Sequence, residues 1–292
     1  MKINLKGTGV AIVTPFHNYG TIDFTALGRL LEYVLSGGVD YIVGLGTTSE
    51  AATLTTDEKE AVMQFVKETV NGRVPIVMGI GGNSTHSVVG KIKKTDFSGI
   101  SAILSVTPYY NKPNQKGIYN HFKSIAAASP VPVILYNVPG RTASNISAQT
   151  TLQLANDFEN IVAVKEASGN LLQAMEILKE KPEHFALLSG DDALTFPLMS
   201  LGASGVISVV ANILPAQFSK MVRLLLQGKT QKALDIHYKI LPVITQLFAD
   251  GNPAGVKAAL EIKGIIKNNL RLPMVKANKA VHFTLQKILQ DF

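Results

Sequence analysis

The sequence predicts a closed (β/α)8 barrel, an α/β fold of the TIM-barrel type, followed by a C-terminal helical domain. Eight short apolar runs recur along the chain, and amphipathic stretches separate most of them. The runs are continuous rather than alternating, which is typical of parallel strands covered on both faces. No Gly-x-Gly-x-x-Gly turn opens the first unit, and no single switch point is evident. Eight repeats therefore favour a closed barrel over a doubly wound sheet.

The predicted elements follow one another in regular order. Strands are expected at 10–13, 41–43, 74–77, 100–106, 131–136, 161–164, 185–188 and 206–210. Crossover helices are expected at 23–35, 57–70, 85–97, 116–128, 147–158 and 170–178. Oxygen-bearing side chains at 55–58, 83–85 and 147 are suited to cap three of these helices.

The pattern changes after about Leu226, where helix follows helix without an intervening strand. Helices are predicted at 230–241, 244–248, 255–263 and 276–289. We therefore expect two domains: residues 1–226 form the catalytic barrel, and residues 227–292 form the helical domain.

The composition indicates a globular protein and excludes several kinds of chemistry. The chain has 292 residues, of which 46% are hydrophobic and 17% charged, too apolar a balance for a disordered chain. It has no cysteine, so disulfides, thiolate metal sites and cysteine nucleophiles are excluded. The six histidines are scattered without metal-ligand spacing. The sequence therefore predicts no structural or catalytic metal, and we also expect no external cofactor.

The net charge of +7 fits small acidic metabolites better than nucleic acid. Basic residues are dispersed, and the densest local runs are pairs such as Lys93-Lys94, without an aromatic-interleaved basic stripe. No apolar run reaches the roughly 20 residues that span a bilayer. The apolar stretch before Thr14-Pro15 is too short for a signal peptide. We expect a cytoplasmic protein that binds neither nucleic acid nor membrane.

Lys165 is the strongest candidate for chemistry because it ends an apolar strand. In barrels of this kind, active sites lie at the C-terminal ends of the strands. An amine that points into the barrel loses solvation as an ammonium ion, and the neutral form is a nucleophile for a carbonyl carbon. Alternatively, Lys165 pairs with Glu166 or extends to solvent. Alternation along a strand puts Lys165 and Glu166 on opposite faces.

Four further features lie near predicted strand ends. Tyr136 ends the strand before Lys165 and could carry protons for an imine, or simply pack in the core. The loop 44–50 could bind a carboxylate through backbone N–H groups, although it lacks the Gly-Lys-Ser/Thr ending of a phosphate loop. Arg141 could clamp a second carboxylate or form a surface ion pair. Asp191-Asp192 is expected to cap a helix.

Six ordered motifs closely resemble the dihydrodipicolinate synthase family, and the match extends over nearly the whole chain. They are Gly46-Thr47-Thr48-Ser49-Glu50, Thr107-Pro108-Tyr109-Tyr110-Asn111-Lys112-Pro113, Tyr136-Asn137-Val138-Pro139-Gly140-Arg141-Thr142, Val164-Lys165-Glu166-Ala167-Ser168-Gly169-Asn170, Ser189-Gly190-Asp191-Asp192 and Gly205-Val206-Ile207-Ser208-Val209. The resemblance implies a barrel with C-terminal helices. It also implies condensation of pyruvate with L-aspartate 4-semialdehyde on the route to diaminopimelate and lysine.

The resemblance also implies residue roles. Lys165 forms the imine with pyruvate, and Tyr136 donates and accepts protons. Thr47 links Tyr136 to Tyr110, which the neighbouring subunit contributes. The chain is thus expected to be a homo-oligomer, a tetramer built from two dimers.

The remaining implied roles concern substrate binding. Thr48 and its backbone hold the pyruvate carboxylate, and the main chain at Ile207 faces the same site. Arg141 positions the carboxylate of the semialdehyde, with Gly190 nearby.

The sequence departs from the family pattern at two places. Ser49 replaces a glycine that is usual in the family, and we expect activity to survive. In lysine-inhibited members a His and a Glu match Thr56 and Ser87, and a further His often matches Lys59. A cationic Lys59 would repel the inhibitor's ammonium group. We expect weak or absent inhibition by lysine; a sharp fall in activity at sub-millimolar lysine would contradict this.

Two other functions remain open at this point. A related pyruvate-dependent Schiff-base aldolase, such as N-acetylneuraminate lyase or a 2-keto-3-deoxy sugar acid aldolase, would share Lys165 and Tyr136. Arg141 and the Tyr109-Tyr110 pair favour the synthase, because a short acidic aldehyde needs a carboxylate clamp. A non-catalytic metabolite-binding barrel ranks lower, since binding alone does not require a neutral amine flanked by proton carriers.

Overall fold

Eight parallel strands form a closed barrel in the order β1 to β8. The structure is a computed structural model that describes residues 3–292, so the first two residues of the predicted barrel domain lie outside the described residues. The strands are β1 Gly7–Ala11, β2 Tyr41–Gly44, β3 Ile76–Gly79, β4 Ala102–Val106, β5 Val133–Asn137, β6 Ile161–Glu166, β7 Ala186–Ser189 and β8 Gly205–Ser208. The predicted fold class is confirmed.

Helices connect successive strands of the barrel, and further helices follow the last strand. They are α1 Phe24–Ser36, α2 Thr56–Val70, α3 Thr85–Lys94, α4 Gln115–Ala128, α5 Pro139–Thr142, α6 Ala148–Asp157, α7 Leu171–Glu180, α8 Thr195–Ser200, α9 Pro215–Leu226, α10 Thr230–Phe248, α11 Ala254–Ile262 and α12 Lys279–Ile288. The described chain forms two compact units: Pro75–Ile207 with the N-terminal segment up to Lys6, and Gly7–Val74 with Ser208–Phe292. The domain boundary near Leu226 stays a prediction.

The unit Pro75–Ile207 contains strands β3 to β7 and the first three residues of β8. The pairing of neighbouring strands places residues near their C-terminal ends side by side. Tyr136 on β5 pairs with Lys165 on β6, Lys165 with Leu188 on β7, and Leu188 with Gly205 on β8. Side chains at paired positions of parallel strands point to the same face of the sheet. Tyr136 and Lys165 are therefore neighbours on one face.

In the unit Gly7–Val74 with Ser208–Phe292, side-chain caps define where the first helices begin. The Asp23 carboxylate accepts the N–H of Ala26 at 2.9 Å at the start of α1. At the start of α2, Thr55 accepts the N–H of Glu58, and the Glu58 carboxylate accepts the N–H of Thr55. This reciprocal capping box confirms the predicted start of α2.

The C-terminal helices correct one sequence prediction. The segments expected at 230–241 and 244–248 form a single helix, α10, with Pro242 in its interior. Pro242 cannot donate the usual hydrogen bond to the preceding turn. The buried residues Ile240, Val243, Ile244 and Leu247 nevertheless continue one apolar face across the proline. Burial of that face outweighs the lost hydrogen bond.

A second correction concerns Asp191-Asp192. Helix α8 begins only at Thr195, and no side chain caps it. Asp191 instead accepts the N–H groups of Ala193 and Leu194 at 2.9 and 3.3 Å, in the turn that precedes the helix. The six helix ranges expected from the sequence do not include α5, α8 or α9, although the eightfold repeat implies a helix after each strand. The short, proline-containing stretch of α8 gives little helical periodicity to detect.

We expect acid to destabilise the fold partly through His121. The ring is buried between α3 and α4, its Nδ1 lies 2.8 Å from the Thr85 hydroxyl, and burial lowers the pKa of His121 from 6.5 to about 4. The unfolded chain therefore binds this proton at a higher pH than the folded chain does. Stability is retained above pH 6.5 and falls as the pH drops towards about 4.

The test compares His121→Asn with the parent chain. Urea unfolding at pH 7, 5.5 and 4.5 measures the free energy of unfolding, and the variant should lose less stability over this range. Equal losses in both proteins would show that His121 does not contribute to acid sensitivity.

Candidate active site

Lys165 and Tyr136 form a buried pair at the C-terminal ends of β6 and β5. Only 6% of Lys165 and 7% of Tyr136 is exposed. The Lys165 Nζ lies 4.3 Å from the centroid of the Tyr136 ring. The Lys165 amine therefore lies beside the Tyr136 ring, and little solvent reaches either side chain.

Glu166 lies on the opposite face of β6 and is occupied by other partners. Its carboxylate accepts the N–H of Ser168 at 2.7 Å, the Gln173 amide at 3.0 Å and the Asn137 amide at 3.0 Å. The predicted alternation is confirmed. These amide donors satisfy the carboxylate, and Lys165 faces Tyr136 instead.

Gly190 follows β7 and leaves room for the Lys165 side chain. A Cβ at this position would lie 2.7 Å from the Ala167 Cβ and 3.0 Å from both Cγ and Cε of Lys165. Such distances are shorter than van der Waals contact. The absence of a side chain at residue 190 therefore fixes the space in which the lysine lies.

We expect Gly190→Ala to lower the rate of imine formation by about 10- to 100-fold, because a displacement of about 1 Å can cost 100-fold in rate. The rate is measured by borohydride trapping of a keto-acid adduct over time. Gly90→Ala is the matched control, since a Cβ at Gly90 in α3 meets nothing within 4 Å. An unchanged trapping rate in Gly190→Ala would show that the contact does not position Lys165.

The segment after β4 is anchored at its start and exposed at its tip. The Thr107 hydroxyl and N–H both donate to the carbonyl oxygen of Tyr136, at 3.0 and 3.1 Å. Tyr110 is 88% exposed and has a φ of 78°, a value rarely adopted by residues with a side chain. An exposed, strained aromatic residue is available to a partner surface.

The two remaining predicted residues of this unit have different environments. Arg141 lies in α5, directly after β5, and is exposed. Ile207 lies on β8, next to Val206, which pairs with Ser189 of β7. Its side chain is buried and has no polar atom. Any polar contact to a ligand must therefore come from its backbone.

The loop after β2 belongs to the other unit and has the form of a 3-10 turn at Thr47–Ser49. Thr47 is exposed, whereas Thr48 and Ser49 are buried. The Ser49 hydroxyl donates to the carbonyl oxygen of Gly46 at 2.7 Å. The left-handed conformation falls on Leu45 and Glu50, with φ of 56° and 54°. Ser49 therefore needs no glycine-like freedom, and the departure from the family pattern is accommodated.

Sequence reasoning missed the groups that hold this loop. The amide of Asn252 donates to the Thr48 hydroxyl at 2.9 Å. Lys257 forms a buried ion pair with Glu50 and donates to the Asn269 carbonyl oxygen at 2.8 Å. The signal was a single lysine among the apolar and small residues at 254–260 of helix α11. A charged residue at the centre of a buried helix requires a partner.

Burial and charge affect the two acid–base pairs beside this loop differently. Burial lowers the pKa of Lys257 to about 8, although the Glu50 carboxylate opposes the shift. Glu58 receives hydrogen bonds from Arg271, one of them at 2.8 Å. These bonds lower the pKa of Glu58 to about 2. Arg271 also donates its backbone N–H to Glu50 at 3.0 Å, which links the two pairs.

Two features are absent from residues 3–292. These residues include no cluster of three or more His, Asp or Glu side chains that could hold a metal ion. None of the helices in this part of the chain is long and apolar enough to cross a membrane.

A closed parallel barrel with a buried lysine beside a tyrosine at adjacent strand ends defines the class of barrel enzymes that work through a lysine Schiff base. The model of the Dihydrodipicolinate synthetase family matches residues 4–292. The chain belongs to this family.

Individual relatives agree with this assignment. A 4-hydroxy-tetrahydrodipicolinate synthase of Parabacteroides distasonis is 52% identical over 99% of this chain and 97% of its own length. The crystal structure of the Thermotoga maritima dihydrodipicolinate synthase has a TM-score of 0.96, with 38% identity over 99% of this chain and 98% of that one. A chloride-inhibited dihydrodipicolinate synthase of Acinetobacter baumannii, complexed with pyruvate, has a TM-score of 0.95, with 39% identity over 98% of each chain.

Proposed function

We propose that this chain is a 4-hydroxy-tetrahydrodipicolinate synthase, which condenses pyruvate with L-aspartate 4-semialdehyde. The observation that carries the proposal is the buried Lys165 amine, 4.3 Å from the ring centroid of Tyr136. Relatives with this name match the chain over nearly its whole length. The substrates are assigned through these relatives, and the chemistry follows from the lysine.

The reaction begins when the Lys165 amine attacks C2 of pyruvate. The carbinolamine loses water and becomes a protonated imine, whose positive charge acidifies C3. Loss of a C3 proton gives an enamine, and C3 of this enamine attacks the aldehyde carbon of the semialdehyde. The amino group of the semialdehyde then displaces Lys165 as the ring closes. The imine is the electron sink, so side chains alone supply the chemistry.

Several protons must move in both directions during these steps, and a chain of hydroxyl groups suits that task. Tyr136 lies beside the amine and acts as the direct proton carrier. Thr47 and a Tyr110 from a second copy of the chain complete the relay. The 88% exposure of Tyr110 supports a role across a subunit interface.

The remaining residues recognise the two carboxylates. Thr48 and the backbone at Ile207 bind the pyruvate carboxylate. Arg141 binds the carboxylate of the semialdehyde, and its exposed position after β5 suits an incoming second substrate. Gly190 leaves space beside the lysine for the bound substrates.

We expect Tyr110→Phe to reduce turnover by about 100-fold or more while leaving pyruvate binding largely unchanged, because general acid–base groups typically contribute 10²- to 10⁴-fold. Turnover is measured with both substrates, and pyruvate binding by trapping of the adduct. Tyr109→Phe is the neighbouring control. Normal turnover in Tyr110→Phe would reject the relay.

The relay across subunits also requires an assembly of two or more chains. We expect a homotetramer composed of two dimers, and analytical ultracentrifugation measures this directly. A fully active monomer would contradict the contribution of Tyr110 in trans.

The decisive test is incubation with pyruvate, reduction with borohydride, and peptide mapping by mass spectrometry. A pyruvyl adduct on Lys165, together with product formation from L-aspartate 4-semialdehyde, supports the proposal. An adduct together with cleavage of a sugar acid would instead indicate a related aldolase. No adduct, under conditions in which a known Schiff-base aldolase is trapped, would favour a non-catalytic binding protein.

A further inference from the structure

Residues far along the chain determine how the loop 46–50 is held. The Thr48 hydroxyl oxygen accepts a hydrogen bond from the Asn252 side chain, across 204 positions of sequence. Asn252 directly precedes Pro253 and helix α11. Neither Thr48 nor Asn252 is exposed by more than 5%. Water therefore has little access to this bond, and the contact is a stable feature of the loop.

The Asn252 amide fixes the polarity of the Thr48 hydroxyl. A hydroxyl group has one hydrogen to donate and an oxygen that can accept. Because the oxygen accepts from Asn252, the hydroxyl hydrogen points to another partner. A hydroxyl held in this state is a preorganised donor for an anion.

The base of the same loop is fixed separately by an ion pair. The Glu50 carboxylate pairs with Lys257 of α11 and accepts the N–H of Arg271 at 3.0 Å. Lys257 is completely buried, and its Nζ also lies 4.1 Å from the centroid of the Phe16 ring. The loop is therefore held at Glu50 even when Thr48 loses its partner. This makes it possible to change Asn252 without releasing the whole loop.

We propose that Asn252 is a positioning residue for substrate-carboxylate binding, because it holds the Thr48 hydroxyl as a hydrogen-bond donor. This inference rests on the proposed function, in which Thr48 binds the carboxylate of pyruvate. Asn252 acts through Thr48 and need not touch the substrate.

Three variants test the proposal. Asn252→Leu removes the amide and keeps a side chain that branches at Cγ. Asn252→Asp keeps the shape but turns the donor into an acceptor, which takes the Thr48 hydrogen away from the substrate and adds a negative charge. Asn268→Leu is the matched control, because Asn268 is a buried asparagine in the same unit and forms no hydrogen bond with Thr48.

We expect half-saturation by pyruvate to rise about 3- to 10-fold in Asn252→Leu and by more in Asn252→Asp, as is typical for one lost hydrogen bond and for one lost with added repulsion. The maximal rate and the KM for the aldehyde should change less. Asn268→Leu should leave both KM values unchanged, although it lowers the unfolding temperature. A purely structural role of Asn252 would affect kcat or stability without this selective change in pyruvate binding.

A double-mutant cycle with Thr48→Val completes the test. In the Thr48→Val background, Asn252→Leu should have no further effect on half-saturation by pyruvate. Additive effects of the two changes, or an unchanged pyruvate KM in both Asn252 variants, would overturn the inference. Failure of the proposed function would be visible in the unsubstituted protein, which would then form no pyruvate adduct. Failure of the Asn252 inference would be visible only in the variants, while the unsubstituted protein still forms the adduct.

Discussion

Lys165→Arg is expected to abolish the pyruvate adduct and to reduce turnover by at least about 1,000-fold. Arginine preserves length and positive charge but cannot lose its proton in a protein. No neutral amine is then available to attack the carbonyl carbon. Intact-mass spectrometry after borohydride reduction measures the adduct, and a coupled assay measures turnover.

The control for this change is Lys179→Arg. Lys179 lies on α7 in the same unit, and its side chain is 80% exposed and paired with Glu180. Its replacement should leave both adduct formation and turnover intact. Residual adduct in Lys165→Arg, on any other lysine and at the parent rate, would refute the assignment of the nucleophile.

Lys257→Met is expected to destabilise the protein by about 3–5 kcal/mol, the usual cost of leaving one charge of a buried pair without its partner. The change leaves the Glu50 carboxylate, which is almost inaccessible to solvent, without its cation. Methionine fills nearly the same space, so packing is largely preserved. The free energy of unfolding is measured by urea denaturation at pH 7.

A second substitution separates charge from packing. Glu50→Gln combined with Lys257→Met removes both charges, and we expect it to recover most of the lost stability because no buried ion remains. Arg73→Met serves as the surface control: Arg73 pairs with Glu32, and both side chains are about half exposed, so its loss should change the free energy of unfolding much less than the loss of Lys257. A loss in Lys257→Met no larger than that in Arg73→Met would contradict the role given to the buried pair.

The sequence predicts the barrel because its strands are buried on both faces and therefore read as continuous apolar runs. The largest shift is in β1, expected at 10–13 and found at Gly7–Ala11, whereas β3, expected at 74–77, is found two residues later at Ile76–Gly79. The first residues of β1 are small, and a Cβ at Gly9 would lie 2.1 Å from the Tyr41 ring. Hydrophobicity cannot reveal a strand whose residues are small because a neighbouring ring fills their space.

The sequence predicts only those residues of the candidate site that lie at the ends of strands. Lys165 and Tyr136 follow apolar runs, so their neighbouring positions are implied by strand order. Asn252 and Lys257 reach the loop 46–50 from α11 and the turn before it. No local pattern encodes such long-range contacts. Their partners become apparent only when the chain is folded.

The links between Arg271 and the first helices affect how the protein can be synthesised. The contacts of Arg271 with Glu58 and Glu50 join residues 213 and 221 positions apart. At a translation rate of about 5–20 residues per second, the acidic partners wait roughly 10–40 seconds for their cation. Glu50 and Glu58 cannot form these contacts until Arg271 has been made. The packing of the loop 46–50 and of α2 around Arg271 is therefore completed only after most of the chain has been synthesised.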